Sequence, residues 1–209
     1  IRPILRGRDI KRYGYNWANL WLIYIPWHFP LQFDESITGA SEKAEIAFQE
    51  QYPAVYQHML KYKEPLSKRN KAETGIRYEW YAMQRWGAKY WDLFFQPHIC
   101  WKAVGRKLAF ALVEAGTFLT APASFISAGR YNKTVLAFLC STVGTYFVYK
   151  NSDTTGAGDI MLNIQSLIKF PIPKIDIDFD NFSDREINLY IYDIYKFTKE
   201  EIHYIEEQV

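Results

Sequence analysis

Residues 6–13, Arg6-Gly7-Arg8-Asp9-Ile10-Lys11-Arg12-Tyr13, gather four cations, a glycine and an aromatic ring into one short segment. The chemistry on offer is anion binding. Guanidinium groups grip phosphate oxygens in pairs, glycine lets backbone come close to a ligand, and a tyrosine ring gives a stacking face. Arg6, Arg8, Lys11 and Arg12 therefore read as a phosphate-tracking loop, with nucleic acid as the first partner suggested. A solvated charge cluster is the plainer alternative. Asp9 is expected to order the loop by accepting bonds from backbone N–H groups or from an arginine.

Bond-making chemistry finds little support. Asp9-Ile10-Lys11 has the Asp-x-Lys spacing with which metal-dependent nucleases hold a cation and assist the attacking water. No carboxylate precedes it and arginines crowd it, so a nuclease centred on Asp9 and Lys11 is disfavoured. The chain lacks the Asn/Asp-Pro-Pro-Tyr/Phe tetrapeptide of adenine-amino methyltransferases and any Gly-x-Ser-x-Gly around a serine. His28, His58, His98 and His203 are scattered and read as structural or surface residues. Cys100 and Cys140 stand 40 positions apart with no Cys-x-x-Cys spacing, so neither a zinc framework nor a disulfide scaffold is signalled and a reducing cytoplasm fits best. Gly156-Ala157-Gly158 lacks the spacing of a nucleotide-binding loop. No catalytic residue and no metal ligand is assigned.

Charge sharpens the anion-binding reading. The overall balance is only +2. Residues 1–107 nevertheless carry 17 Lys and Arg against 10 Asp and Glu, while residues 108–209 carry 8 against 13. A polyanion is drawn to the first half and repelled by the second. With 209 residues, 49% apolar and 18% aromatic, the chain can bury a substantial core. Its apolar runs are broken by Pro, Gly or charge well short of the roughly 18 residues that a membrane span requires. It opens at Ile1 inside a motif, as expected of a piece of a longer protein.

The elements that must hold the loop follow from pattern. Ile4-Leu5 and Leu20 to Ile25 read as strands flanking it, the second stopped by Pro26. Ser41 caps a helix to about Gln49. Pro53 starts another, with Val55, Tyr56, Met59 and Leu60 on its core face. Lys61, Lys63, Lys68, Arg69 and Lys71 make a second cationic cluster. The stretch from Thr74 to Trp86 mixes arginine with aromatics and reads as a loop or edge strand. Ile99 to Val104, Leu108 to Val113 and Ser124 to Ser127 suggest an antiparallel sheet. A helical stripe over 132–150, N-capped by Asn132, is followed by a mobile loop at 151–159 and a short helix from Ile164 into Pro171 and Pro173. Ser183-x-x-Glu186 and Thr198-x-x-Glu201 are capping boxes that head helices near 184–195 and 199–207.

The chain resembles the C-terminal target recognition domains of type IIG restriction-modification enzymes and related N6-adenine DNA methyltransferases, nearly end to end. The likeness rests on Ile4 to Tyr13 with Trp21-Leu22-Ile23, on Tyr62, Leu66 and Arg69, and on Arg77-Tyr78 with Trp80-Tyr81 and Gln84-Arg85. It continues through Pro97 to Lys102, Val135 to Ser141, Gln165-Ser166-Leu167 with Phe170-Pro171-Ile172-Pro173-Lys174, and Ile194-Tyr195 with Thr198 and Glu201-Ile202. The first and the Pro-Ile-Pro blocks are the most specific.

The resemblance implies an α+β fold with a curved antiparallel sheet, supporting helices and a C-terminal helical hairpin. Residues 1–174 would be the recognition domain and 175–209 an acidic hairpin packed on it. It implies a partner in double-stranded DNA and another in the parent's methyltransferase domain. S-adenosylmethionine and Mg²⁺ would serve the parent outside this chain. Arg6, Arg8, Lys11 and Arg12 would clamp phosphates, and Lys68, Arg69, Lys102 and Arg106 would extend the track. Arg77, Trp80, Gln84 and Arg85 would reach base edges, although Trp80 and Trp86 equally suit a core. A rival is a protein-interaction module that docks the parent's catalytic domains.

Overall fold

In a computed structural model describing residues 1–209, the chain leaves one folding unit and returns to it: residues 23–91, with Ile1, form the first unit, and residues 2–22 with 92–209 the second. Neither boundary falls at 174. The C-terminal helices belong to the second unit.

In the first unit the local signals act as their chemistry dictates. Ser41 Oγ accepts the Ala44 N–H at 3.3 Å and starts α1 (Glu42–Gln51), with Glu42 and Glu45 in its first turn. Pro53, which has no N–H to satisfy, opens α2 (Pro53–Leu60), and α3 (Lys63–Lys68) follows. Phe48, Tyr56, Tyr78, Trp80 and Tyr81 are buried together. Phe48 lies 4.7 Å from Tyr81, and Trp27 stacks on Tyr78 at 4.9 Å. Residues 77–86 contain no strand. Their rings are core supplied by an irregular segment, which Glu79 pins: its buried carboxylate accepts the His28 N–H (2.8 Å), the Ser41 N–H (2.9 Å) and a bond from His28 Nδ1 (3.0 Å).

The second unit holds nine short strands, β1 (Arg2–Leu5), β2 (Trp21–Leu22), β3 (His98–Lys102), β4 (Val104–Gly105), β5 (Phe110–Val113), β6 (Phe118–Leu119), β7 (Ala123–Ile126), β8 (Asp153–Thr154) and β9 (Ile160–Met161). They form three three-stranded sheets, ordered β2-β1-β6, β5-β3-β7 and β4-β9-β8. The single curved sheet expected from the resemblance is thus divided. The β1 to β6 pairing, with Ile4 opposite Phe118, is parallel. The α+β class holds. Central β3 is antiparallel to both neighbours and buries Ile99, Cys100 and Trp101 completely. Residues 151–159 are also more ordered than their composition suggests, since β8 and β9 make a hairpin with Gly156 and Gly158 near its tip.

Five helices cover this unit: α4 (Asn132–Cys140), α5 (Thr142–Asn151), α6 (Ile164–Leu167), α7 (Asp184–Tyr195) and α8 (Lys199–Glu207). The continuous helix expected over 132–150 is broken at Ser141, whose extended backbone ends α4 and whose Oγ accepts the Gly144 N–H to start α5. Gly144 permits the break. A Cβ there would stand 2.2 Å from the Phe138 carbonyl oxygen. Asn132 is not the N-cap but the first helical residue. Its side chain ties Ala128 N–H to the Pro97 carbonyl, with 2.8 Å bonds on both sides. Both C-terminal capping boxes form, with the Ser183 and Thr198 N–H groups each 2.8 Å from a glutamate oxygen, and α7 and α8 pack on α5. No helix is long and apolar enough to cross a membrane.

Candidate nucleic-acid interface

The basic loop is built around Asp9. Residues Gly7–Asp9 turn as a short 3-10 helix, and the Asp9 carboxylate, 5% exposed, accepts the Arg6 backbone N–H (2.9 Å), Nε (3.0 Å) and Nη2 (2.8 Å). This bonding to Arg6 holds the Asp9 carboxyl below its ordinary range. Arg12 is equally occupied. Its Nε and Nη2 donate to the Cys140 carbonyl at 3.3 and 2.9 Å, one of the orphan acceptors at the end of α4, and its Nη1 donates to Asp184. Its guanidinium also lies 4.5 Å from the Tyr13 ring. Asp184 is lowered by that same bond. Arg6 and Arg12, both read as phosphate clamps, are engaged here by the protein itself, one closing the loop and the other fastening it to α4 and α7.

Arg8 and Lys11 face solvent, and the Lys11 ammonium donates only to the Arg8 carbonyl, at 3.1 Å. Gly7 is required by close approach. A Cβ on it would meet Lys102 Cγ at 2.9 Å, so the Lys102 stem lies across the loop. The ammonium end of that chain reaches Gly105, 3.5 Å from where a Cβ would be. Arg106 and Lys107 follow. Two turns, one after Gly7 and one after Gly105, thus stand side by side with Lys102 spanning them. Arg8, Lys11, Lys102, Arg106 and Lys107 are all exposed and none is in an ion pair. Lys107 is a residue that sequence reasoning missed. Its signal is Gly105-Arg106-Lys107, the break between the strand-like runs that end at Val104 and begin at Leu108.

The other candidates lie in the first unit. Lys68 pairs with Glu64 at 2.5 Å, and Arg77 with Glu73 at 3.5 Å, each four residues apart. Arg69 is turned inward, donating to the Trp80 and Ala82 carbonyls below the Tyr78 ring, and burial lowers its pKa. Trp80 is 7% exposed, donates from Nε1 to Glu45 at 2.7 Å and carries Lys63 on its ring at 5.1 Å. The phosphate role of Arg69 and the base-reading role of Trp80 are corrected to core roles. Gln84 is half-buried and Arg85 exposed without an ion pair, on an irregular segment. The candidates drawn from the sequence as one track therefore fall into two sets, one on each unit.

His98, His203 and the two cysteines lie outside both sets. His98 is fully buried, bonded to the Gln96 carbonyl at 2.9 Å, and burial lowers its pKa. His203 pairs with Glu207 at the surface. Cys100 and Cys140 are buried and free, and burial pushes their thiols up to about 12 and about 11. No group of three or more His, Cys, Asp and Glu is placed to hold a metal ion.

An α+β chain with five cations outside any ion pair, four on two adjacent turns and Lys102 spanning them, defines a module suited to meet a polyanion. The chain belongs to the TaqI-like C-terminal specificity domain family, which matches residues 2–172. It is thereby a DNA sequence-specificity module of a restriction-modification enzyme. Helices α7 and α8 lie beyond the match. No curated protein matches the chain.

Proposed function

We propose that this chain reads a short double-stranded DNA sequence and presents it to a methyltransferase domain of its parent enzyme for N6-adenine methylation, the parent being of the type IIG class and cytoplasmic. The observation that carries the reading is the five-cation face around Gly7, Lys102 and Gly105, none of whose members is spent in an ion pair. Arg8, Lys11, Lys102 and Arg106, joined by Lys107, bind backbone phosphates and set register. Arg6 and Arg12 position that face by holding its loop. Base reading falls to Gln84 and Arg85, with Arg77 able to leave its glutamate, since guanidinium suits guanine and carboxamide suits adenine.

S-adenosylmethionine and Mg²⁺ belong to the parent's catalytic parts. The residues here do not fit them. Gly156 and Gly158 serve the tip of a hairpin, Asp184 holds Arg12, Asp178 and Asp180 hold Lys133, and Glu186 and Glu201 cap helix N-termini.

Salt titration of binding to duplex of random sequence tests the reading. Affinity should fall steeply with salt, and each phosphate-binding cation replaced by alanine should lower the slope of log K against log salt by about 0.9. A slope near zero would refute it and favour a protein-docking module, for which the exposed Trp17 and Trp21 pair, in edge contact at 5.0 Å, is the supporting observation.

A further inference from the structure

A concave surface of the second unit is lined by none of the five cations of the Gly7 and Gly105 turns. It is a groove of about 670 Å³ between α5, the segment after α6 and α8, within the size range of small-molecule sites. Its walls are aromatic. Phe147 stacks on Phe170 at 4.7 Å, Tyr195 stacks on Phe197 at 5.4 Å, and Tyr146 meets Tyr204 edge-on at 6.2 Å. Only the Glu200 and Glu201 side chains bring charge to this lining, both negative.

Three observations give the groove a ligand chemistry. Ring faces carry negative quadrupole density and attract cations, and one of these rings already does so: the Lys150 ammonium lies 5.5 Å from the centre of Tyr146. The carboxylates are the complementary second component. Glu201 accepts the Thr198 N–H at 2.8 Å while Thr198 accepts the Glu201 N–H, so the first turn of α8 is already capped. Glu200 is exposed and makes no ion pair or hydrogen bond. Finally, the stacked pairs are held from behind. The Tyr195 hydroxyl donates to the Pro171 carbonyl at 2.9 Å, which ties the wall of α7 to the chain after α6 without filling the groove.

From this geometry we infer that the groove binds a small organic cation, an apolar or aromatic body that carries an ammonium group, with the body on the rings and the charge at Glu200. An apolar crevice alone would take neutral and charged bodies alike. The site is separable from the DNA face, and the inference does not rest on it.

The test uses the full chain, isotope-labelled for NMR, titrated with 2-phenylethylammonium and separately with neutral 2-phenylethanol, which share one apolar body. The expected result is that shifts cluster on α5, the segment after α6 and α8, with the ammonium ion binding at least about fivefold more tightly than the alcohol. Glu200→Gln should remove most of that preference while leaving alcohol binding in place. Tyr204→Ala, at a half-exposed ring, should weaken both probes. Equal affinity for the two probes, a preference that persists in Glu200→Gln, or shifts centred elsewhere would each overturn the proposal. Retained NMR dispersion in both variants separates loss of binding from loss of fold.

Discussion

The turns around Gly7 and Gly105 present five cations outside any ion pair, whereas the segment from Lys61 to Arg85 carries seven and uses four of them internally: Lys63 on Glu45, Lys68 on Glu64, Arg77 on Glu73 and Arg69 on two carbonyls. The two regions look alike in sequence. The difference is one of local geometry. A helix or a wide turn brings residue i+4 alongside, so a lysine three or four positions from a glutamate meets it. In the turn after Gly7 the one carboxylate, Asp9, is taken by Arg6, and Arg8 and Lys11 stay outside any ion pair. Cation density alone does not mark a binding face.

The largest test of this contrast replaces Arg8, Lys11, Lys102 and Arg106 together with alanine. Removing four phosphate-binding cations would lower the salt slope by about 3.6 and weaken duplex binding roughly a thousandfold near 0.1 M salt. The matching change in the first unit, Lys63 and Lys68 to alanine, should leave the slope unchanged. Comparable losses from the two sets would erase the distinction.

Second in size is Glu79→Ala. The change strands the His28 and Ser41 N–H groups inside the first unit, at a cost of roughly 3 kcal/mol or more. Urea unfolding followed through tryptophan fluorescence would measure it. A cost below about 1 kcal/mol would mean that the polar groups of this unit are not what holds its irregular aromatic segment.

Arg85→Ala is smaller and more selective. Stability should stay within about 0.5 kcal/mol, because the side chain is exposed and in no ion pair. Preference at one base pair should relax by about 1 to 3 kcal/mol. Equal losses on cognate and unrelated duplex would move Arg85 into the phosphate set.

These contrasts explain what could be read from the sequence. Ser41, Pro53, Ser183 and Thr198 gave their helix starts to the residue, because capping is decided within four positions. The Asp9 bond to Arg6 was legible for the same reason. Arg12 was not, since its acceptors Cys140 and Asp184 lie 128 and 172 positions away. The parallel pairing of β1 with β6 was hidden by the same kind of distance. The break between α4 and α5 was hidden differently: the apolar stripe runs through Ser141 without losing phase, and Ser141-x-x-Gly144 was the signal to weigh against it. Trp80 was undecided because an exposed stacking ring and a buried one have the same composition. Its neighbours' burial settled the matter.

The finest test is Asp9→Asn, which separates a cation that binds from a cation that positions. In the native loop Asp9 Oδ2 accepts two donors of Arg6 and Oδ1 a third. An amide nitrogen in place of either oxygen sets donor against donor, and the loop should lose about 1 kcal/mol near neutral pH. The sign of the pH dependence follows from the lowered pKa of Asp9. Stability from the carboxylate is fully present above the unfolded value of about 3.9 and disappears as pH falls through the lower folded value. The gap between wild type and variant should therefore close below about pH 4. Duplex affinity of the variant should drop a few-fold at unchanged salt slope, because the face loses order but no cation. A slope that rises by about 0.9 in Asp9→Asn would show instead that Arg6, once released, joins the phosphate-binding set, and that the native loop withholds one of its cations from DNA.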